Sequence, residues 1–216
     1  MHVTFKGWPA EALEFYEGLE DDNSKVYWAA HKAAYDADVH APMVALLEEL
    51  EGEFGEGKIF RPNRDIRFSA DKSPYKTAIG AVLAGGGYVQ LSARGLAAGS
   101  GYHMMAGDQL ERYRRAVAED GTGEELRRVI AGVAGHGIEV GARESLKSAP
   151  RGYPKEHPRV DLLRNKDLTA WRQWPVQPWL GTAAAKKRVV DFLRATRPLG
   201  AWLDANVGET TLPRGR

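Results

Sequence analysis

The chain has 216 residues and no cysteine, which excludes a disulfide framework and a thiolate metal centre. Long hydrophobic runs are missing too: nothing approaches the roughly 18 apolar residues that a membrane span needs. The first residues, Met-His-Val-Thr-Phe-Lys, lack the basic and then apolar regions of a secretory signal. These absences together lead to the expectation of a cytoplasmic protein with no membrane partner. The six histidines show no His-x-His or His-Glu-x-x-His spacing, so no metal site is expected. No Gly-x-x-x-x-Gly-Lys loop is present. Gly99-Ser100-Gly101 completes neither a dinucleotide fingerprint nor a Gly-x-Ser-x-Gly elbow, so no cofactor is expected either.

What is present is ordinary in bulk: 43% hydrophobic and 27% charged residues, as in a globular protein. The formal net charge of +1 conceals a split. Residues 1–60 hold 4 Lys/Arg and 13 Asp/Glu, or −9; residues 61–216 hold 26 and 16, or +10. Such asymmetry hints at an anionic partner. Solvated faces of differing composition explain it equally well.

Periodicity places helices over the first sixty residues. Ala12, Phe15, Tyr16 and Leu19 fall on one face; Ser24 caps a second helix carrying Val26, Tyr27, Ala30 and Ala34; Pro42 restarts a third. The middle reads as sheet. Short strands are expected at Ile59-Phe60 and Ile66–Phe68, with a hairpin from residues 78–83 and 88–93 across Gly85-Gly86-Gly87, then a strand over 96–102. Helices return at residues 108–119 and 123–134, the latter with Thr122 as cap and Glu125 completing a capping box. A last long helix is expected over about residues 182–196, with Pro198 interrupting it before Leu199 to Val207. The fold class is therefore α+β, an antiparallel sheet packed with N- and C-terminal helices. Residues 1–208 are expected to form a single domain and 209–216 a loose tail.

Two basic segments carry the functional signal. In the first, residues 61–77, Arg61, Arg64 and Arg67 recur every third position, followed by Lys72, Tyr75 and Lys76, with only Asp65 and Asp71 against them. Guanidinium forks suit carboxylate and phosphate. Asp65 reads as an arginine-orienting partner, and Asp71 with Ser73 as a turn. The competing reading is a buried ion-pair network tying sheet to helices. The second segment, residues 147–166, contains Lys147, Arg151, Tyr153, His157, Arg159 and Arg164. Its three prolines stiffen the backbone. His157 reads as the cap of a helix opening at Pro158, or as a neutral base.

The string Arg61-x-x-Arg64-Asp65-x-Arg67-Phe68-x-x-x-Lys72-x-x-Tyr75 resembles the signature of a bacterial family of conserved hypothetical proteins. The likeness runs from Phe15 through Asn23-x-Lys25-x-x-Trp28 and on to Trp202 and Val207. It includes Ala149-Pro150-Arg151-Gly152-Tyr153 and His157-Pro158-Arg159. The resemblance implies little about activity, since that family has no known function.

The expected function is binding, with or without turnover, of a phosphorylated or carboxylated small molecule in a basic cleft. The eleven candidate ligand-binding residues are Arg61, Arg64, Arg67, Lys72, Tyr75, Lys147, Arg151, Tyr153, His157, Arg159 and Arg164. Two alternatives stay open: a nucleic-acid partner for the basic C-terminal portion, and a purely structural arginine–carboxylate network. The six tryptophans read as packing rather than as a stacking platform.

Overall fold

The computed structural model describes residues 4–213. The chain is α+β, as the periodicity requires. Its strands are β1 (Gly57–Ile59), β2 (Ala78–Leu83), β3 (Gly87–Ser92), β4 (Gly95–Tyr102), β5 (Glu139–Gly141) and β6 (Leu168–Trp174). The sheet order is β1-β2-β3-β4-β6-β5, and the β1–β2, β2–β3 and β5–β6 pairs are antiparallel. Two compact units divide the chain. The first comprises residues up to Ala98 together with Gln173–Asp191; the second comprises Gly99–Arg172 and the chain from Phe192 onward. No described helix is long and apolar enough to cross a membrane.

In the first unit, α1 (Ala10–Asp21) buries the expected Ala12, Phe15, Tyr16 and Leu19. Ser24 caps α2 (Lys25–Ala34), its hydroxyl accepting from the Tyr27 N–H at 3.0 Å. α2 itself buries no residue fully, and Val26 is 79% exposed rather than on an inner face. Pro42 does not restart the chain after a break. A π-helical turn, Tyr35–His40, leads directly into α3 (Ala41–Phe54), and Pro42 sits in that helix's first turn. The wider π turn keeps Tyr35 and Val39 buried while the phase of the helix shifts. The β2–β3 hairpin turns through Gly86 at φ 90°. The turn into β4 needs Gly95, at φ 102°, where an added Cβ would lie 2.4 Å from the Trp174 carbonyl oxygen.

The expected strand at Ile66–Phe68 does not form; those residues belong to a loop. Arginine and aspartate side chains there bond to one another locally, and that competes with ladder pairing.

In the second unit, α4 (Gly107–Ala118) is followed almost at once by α5 (Asp120–Ala134). α5 begins earlier than the Thr122 capping box predicts. Glu119 is the cap, its carboxylate accepting from the N–H groups of Gly121 at 3.0 Å and Thr122 at 2.7 Å. These bonds hold the Glu119 carboxyl at about 2, below its usual value. The Thr122 hydroxyl lies within donating distance of both the Glu119 carboxylate, at 2.7 Å, and the Ala116 carbonyl. A one-turn α6 (Val160–Leu163) follows Pro158, two residues later than His157 capping would imply. β5 and β6 were not foreseen: β5 has only three residues, and in β6 the buried Leu168, Ala170 and Trp174 are mixed with polar neighbours.

α7 (Ala184–Asn206) runs through Pro198 without stopping. Proline inside a helix costs about 3 kcal/mol. Leu193 before it, and Leu199, Trp202 and Leu203 after it, are each at most 4% exposed. Burial contributes about 1.5–3 kcal/mol per large apolar side chain, so the apolar face outweighs the proline. Residues 209–212, expected to be loose, are held to α4. Asp108 accepts from Thr210 and Thr211, and Arg112 donates to the Glu209 carbonyl. Residues 214–216 of the expected tail lie outside the described residues.

Candidate functional site

The first basic segment is a surface loop between β1 and β2, closed at its base by backbone pairing. Arg64 N–H donates to the Pro74 carbonyl and Lys76 N–H to the Pro62 carbonyl, both at 2.9 Å. These flank an antiparallel bridge between Asn63 and Tyr75. In that geometry the N–H and C=O of Tyr75 point away from Asn63. Asn23, just after α1, satisfies both: its Oδ1 accepts from Tyr75 N–H at 3.0 Å and its Nδ2 donates to Tyr75 C=O at 3.1 Å. One carboxamide thus replaces an edge strand. The Tyr75 ring is buried and stacks on Trp28, with centroids 4.3 Å apart and planes 10° from parallel. Tyr75 is therefore an anchor of the loop. The clamp was missed because Asn23 follows two aspartates between helices and reads simply as a helix breaker.

Above this base Arg61, Arg67 and Lys72 are exposed, while Arg64 and Lys76 are half-buried. Arg67 donates to Asp65 through Nε at 3.0 Å and Nη2 at 2.7 Å, a bidentate pair on a side chain 76% exposed. Those bonds hold the Asp65 carboxyl at about 2. Arg64 pairs with Asp71. Asp71 also accepts from Ser73 N–H at 2.9 Å, the expected turn. Ser73 first, and Arg64 next, keep the Asp71 carboxyl well below the ordinary carboxylate range. Lys72 donates to the Ile66 carbonyl at 3.0 Å. Lys76 donates to the Arg61 carbonyl at 2.8 Å, and its pKa is lowered by burial and then by the charge of Arg61. Arg61 is exposed and has no carboxylate partner among the described residues.

These ion pairs are exposed, so they are not the buried network that the sequence also allowed. The loop carries Arg61, Arg64, Arg67, Lys72 and Lys76 against Asp65 and Asp71, a net +3. Hydrogen bonds from the loop's own donors favour the charged form of both carboxylates. The arrangement suits holding an anion.

The second basic segment lies in the second unit and is built differently. Its base is closed by a bridge between Ser145 and Asn165. There the buried Asp167 accepts from the N–H groups of Arg143 and Glu144 at 2.8 and 3.3 Å. Arg159 is 2% exposed. It donates to the carbonyls of Val117 and Ala118 and to the carboxylates of Asp120 and Glu124, all within 2.9 Å. Four of its N–H groups are thus engaged within the protein, which makes it a staple at the α4–α5 junction rather than a ligand contact. His157 Nδ1 accepts from Arg159 N–H at 3.1 Å, so it caps the backbone locally. The Arg164 carbonyl accepts from Leu146 N–H at 2.8 Å, and the Arg164 Nε is buried without a partner. Lys147 and Arg151 are exposed and Tyr153 half-buried. With only four residues, α6 supplies no helix-start anion site. An open groove of about 490 Å³ in this unit is lined by Ile130, Val140, Leu162 and Leu168. Arg127 and Asp161 also line it, and they pair with each other at 2.7 Å. No cluster of metal-ligating side chains occurs among the described residues.

Residues 11–202 match the model of a family described as "Conserved hypothetical protein (DUF2461)". The chain belongs to that family. No curated protein matches it. One solved structure that it is similar to is a conserved hypothetical protein from Pyrococcus furiosus, at 12% identity and a TM-score of 0.39. That match covers 79% of this chain and 96% of the other.

Proposed function

We propose that this member of the DUF2461 family binds an oxyanion-bearing ligand, phosphorylated or carboxylated, on the loop of residues 61–77. The observation that carries the reading is the net +3 of a loop whose base is fixed by Asn23 and in which Arg61, Arg67 and Lys72 face solvent. Cations on a fixed frame lose less conformational entropy on binding than cations on a mobile one. Arg61 is the most available donor. Arg67 already presents its guanidinium fork to a carboxylate, that of Asp65. Lys72 and Lys76 bond to carbonyl oxygens, which leaves their charges uncompensated. In the second unit, Lys147 and Arg151 are exposed cations of the other basic segment, whereas Arg159 is engaged within the protein.

Thermal melts of the wild type, Arg61→Ala and Arg67→Ala, with and without phosphorylated and carboxylated metabolites, test this. A charge-assisted hydrogen bond contributes about 1.5–3 kcal/mol, so losing one weakens binding at least about tenfold. Both substitutions are expected to leave the ligand-free melt unchanged. A wild type that no anion stabilises overturns the proposal.

A further inference from the structure

The cationic loop carries an almost fully exposed aromatic ring, Phe68, and is preceded by a second, Phe60, which is partly covered and lies with its centroid 6.3 Å from that of Tyr88. Phe68 is 96% exposed and Phe60 is 40% exposed. Each lies beside a loop cation: Arg67 Cζ is 5.9 Å from the Phe68 ring centroid, and Lys76 Nζ is 5.4 Å from that of Phe60. Along the chain the order is Phe60, Arg61, Arg64, Arg67, Phe68, Lys72, Lys76, with rings interleaved among cations. A purely phosphate- or carboxylate-binding loop has no use for an almost fully exposed phenyl ring. A ligand carrying planar bases beside its phosphates has use for both groups, since bases stack on rings while cations track the backbone.

We infer that the ligand of this loop is single-stranded nucleic acid, with Phe68 and Phe60 as base-stacking positions and Arg61, Arg67, Lys72 and Lys76 as phosphate contacts. This rests on the anion-binding reading of the same loop and narrows it. A free nucleotide has the same chemistry but fits less well. Small-molecule sites enclose most of their ligand, whereas Phe68, 96% exposed, stands out in solvent. A strand gathers several weak contacts into one useful affinity. A duplex fits poorly, because its bases are already stacked on one another. The net −9 of residues 1–60, which belong to the same unit as the loop, weakens its pull on a polyanion, so the rings have to contribute.

The test uses fluorescence anisotropy with a labelled single-stranded oligothymidylate of about 12 nucleotides, within the usual site sizes. Competitors are unlabelled strand, its duplex with oligoadenylate, thymidine monophosphate and inorganic polyphosphate. The proteins are the full chain and its Phe68→Ala, Phe68→Trp and Arg61→Ala variants. Phe68 is too exposed for its replacement to unfold the protein. The strand is expected to bind, and Phe68→Ala to weaken it roughly five- to 150-fold, while polyphosphate competition is unchanged. Phe68→Trp restores the strand affinity, and Arg61→Ala weakens strand and polyphosphate alike. If polyphosphate binds as tightly as the strand and Phe68→Ala affects neither, the stacking inference fails and the anion-binding proposal stands. Duplex or monophosphate competing as well as the strand also overturns the inference. If neither strand nor polyphosphate binds, both readings fall.

Discussion

Replacing Asn23 with alanine should release the loop while leaving the units that carry it folded. The carboxamide makes two hydrogen bonds to the Tyr75 backbone, at 3.0 and 3.1 Å. Each contributes about 0.5–1.5 kcal/mol net, so the loss is about 1–3 kcal/mol. For a chain of this size that lowers the melting temperature by about 2–12 °C. The lower end is expected, because an opened loop lets water reach the freed N–H and C=O. Asn23→Asp separates the two bonds: it keeps an acceptor for Tyr75 N–H and removes the donor to Tyr75 C=O, so it should cost about half as much. Amide hydrogen exchange gives the local readout. In Asn23→Ala, Arg64, Tyr75 and Lys76 should exchange together and faster, since Arg64 and Lys76 make the bonds that flank the Asn63–Tyr75 bridge. If Asn23→Ala changes neither the melt nor exchange at Tyr75, the clamp does not hold the loop, and the entropic argument for a fixed cationic frame fails with it.

Further outcomes follow from the same geometry. Arg159→Met removes four hydrogen bonds at the α4–α5 junction, two of them to exposed carboxylates, and should lower stability by about 1–3 kcal/mol in urea unfolding. Gly95→Ala forces a Cβ to within 2.4 Å of a carbonyl oxygen at φ 102°, so it should cost more than about 2 kcal/mol in the same assay. Asp65 titrates at about 2, below its unfolded value of 3.8. The order it gives Arg67 is therefore fully present above pH 3.8 and lost as pH falls through about 2. Carboxyl resonances followed by NMR should show this, and Arg67→Ala should return Asp65 to the ordinary range.

The sequence was most legible where one periodicity decided the outcome. α1, the Ser24 cap, the β2–β3 hairpin and the Asp71–Ser73 turn each follow from side chains adjacent in the chain. It was least legible where a distant partner decided. Pro198 marks a helix end by local rules, yet the buried face of Leu193, Leu199, Trp202 and Leu203 carries the helix through. Thr122 resembles a cap, but Glu119 caps the helix three residues earlier, at the amides of Gly121 and Thr122. Within the site, the cations of the first segment could be read from composition, as could the pairing of Asp65 with arginine. The roles of Tyr75 and Arg159 could not. A tyrosine in a basic motif looks like a ligand contact until Trp28 is found stacked on it, and an arginine looks free until two carbonyls and two carboxylates surround it. Phe68 was read as part of a short strand, because nothing in a sequence marks a phenylalanine as 96% exposed.

The most direct test of the central claim is a titration of the labelled wild-type protein with inorganic pyrophosphate, followed by proton–nitrogen correlation spectra that include the arginine side-chain Nε–H signals. The account predicts saturable shifts concentrated on residues 61–77, with the Nε–H groups of Arg61 and Arg67 moving most and Arg159 not moving. Shifts centred elsewhere in the chain, or no saturable shift at all, would contradict it.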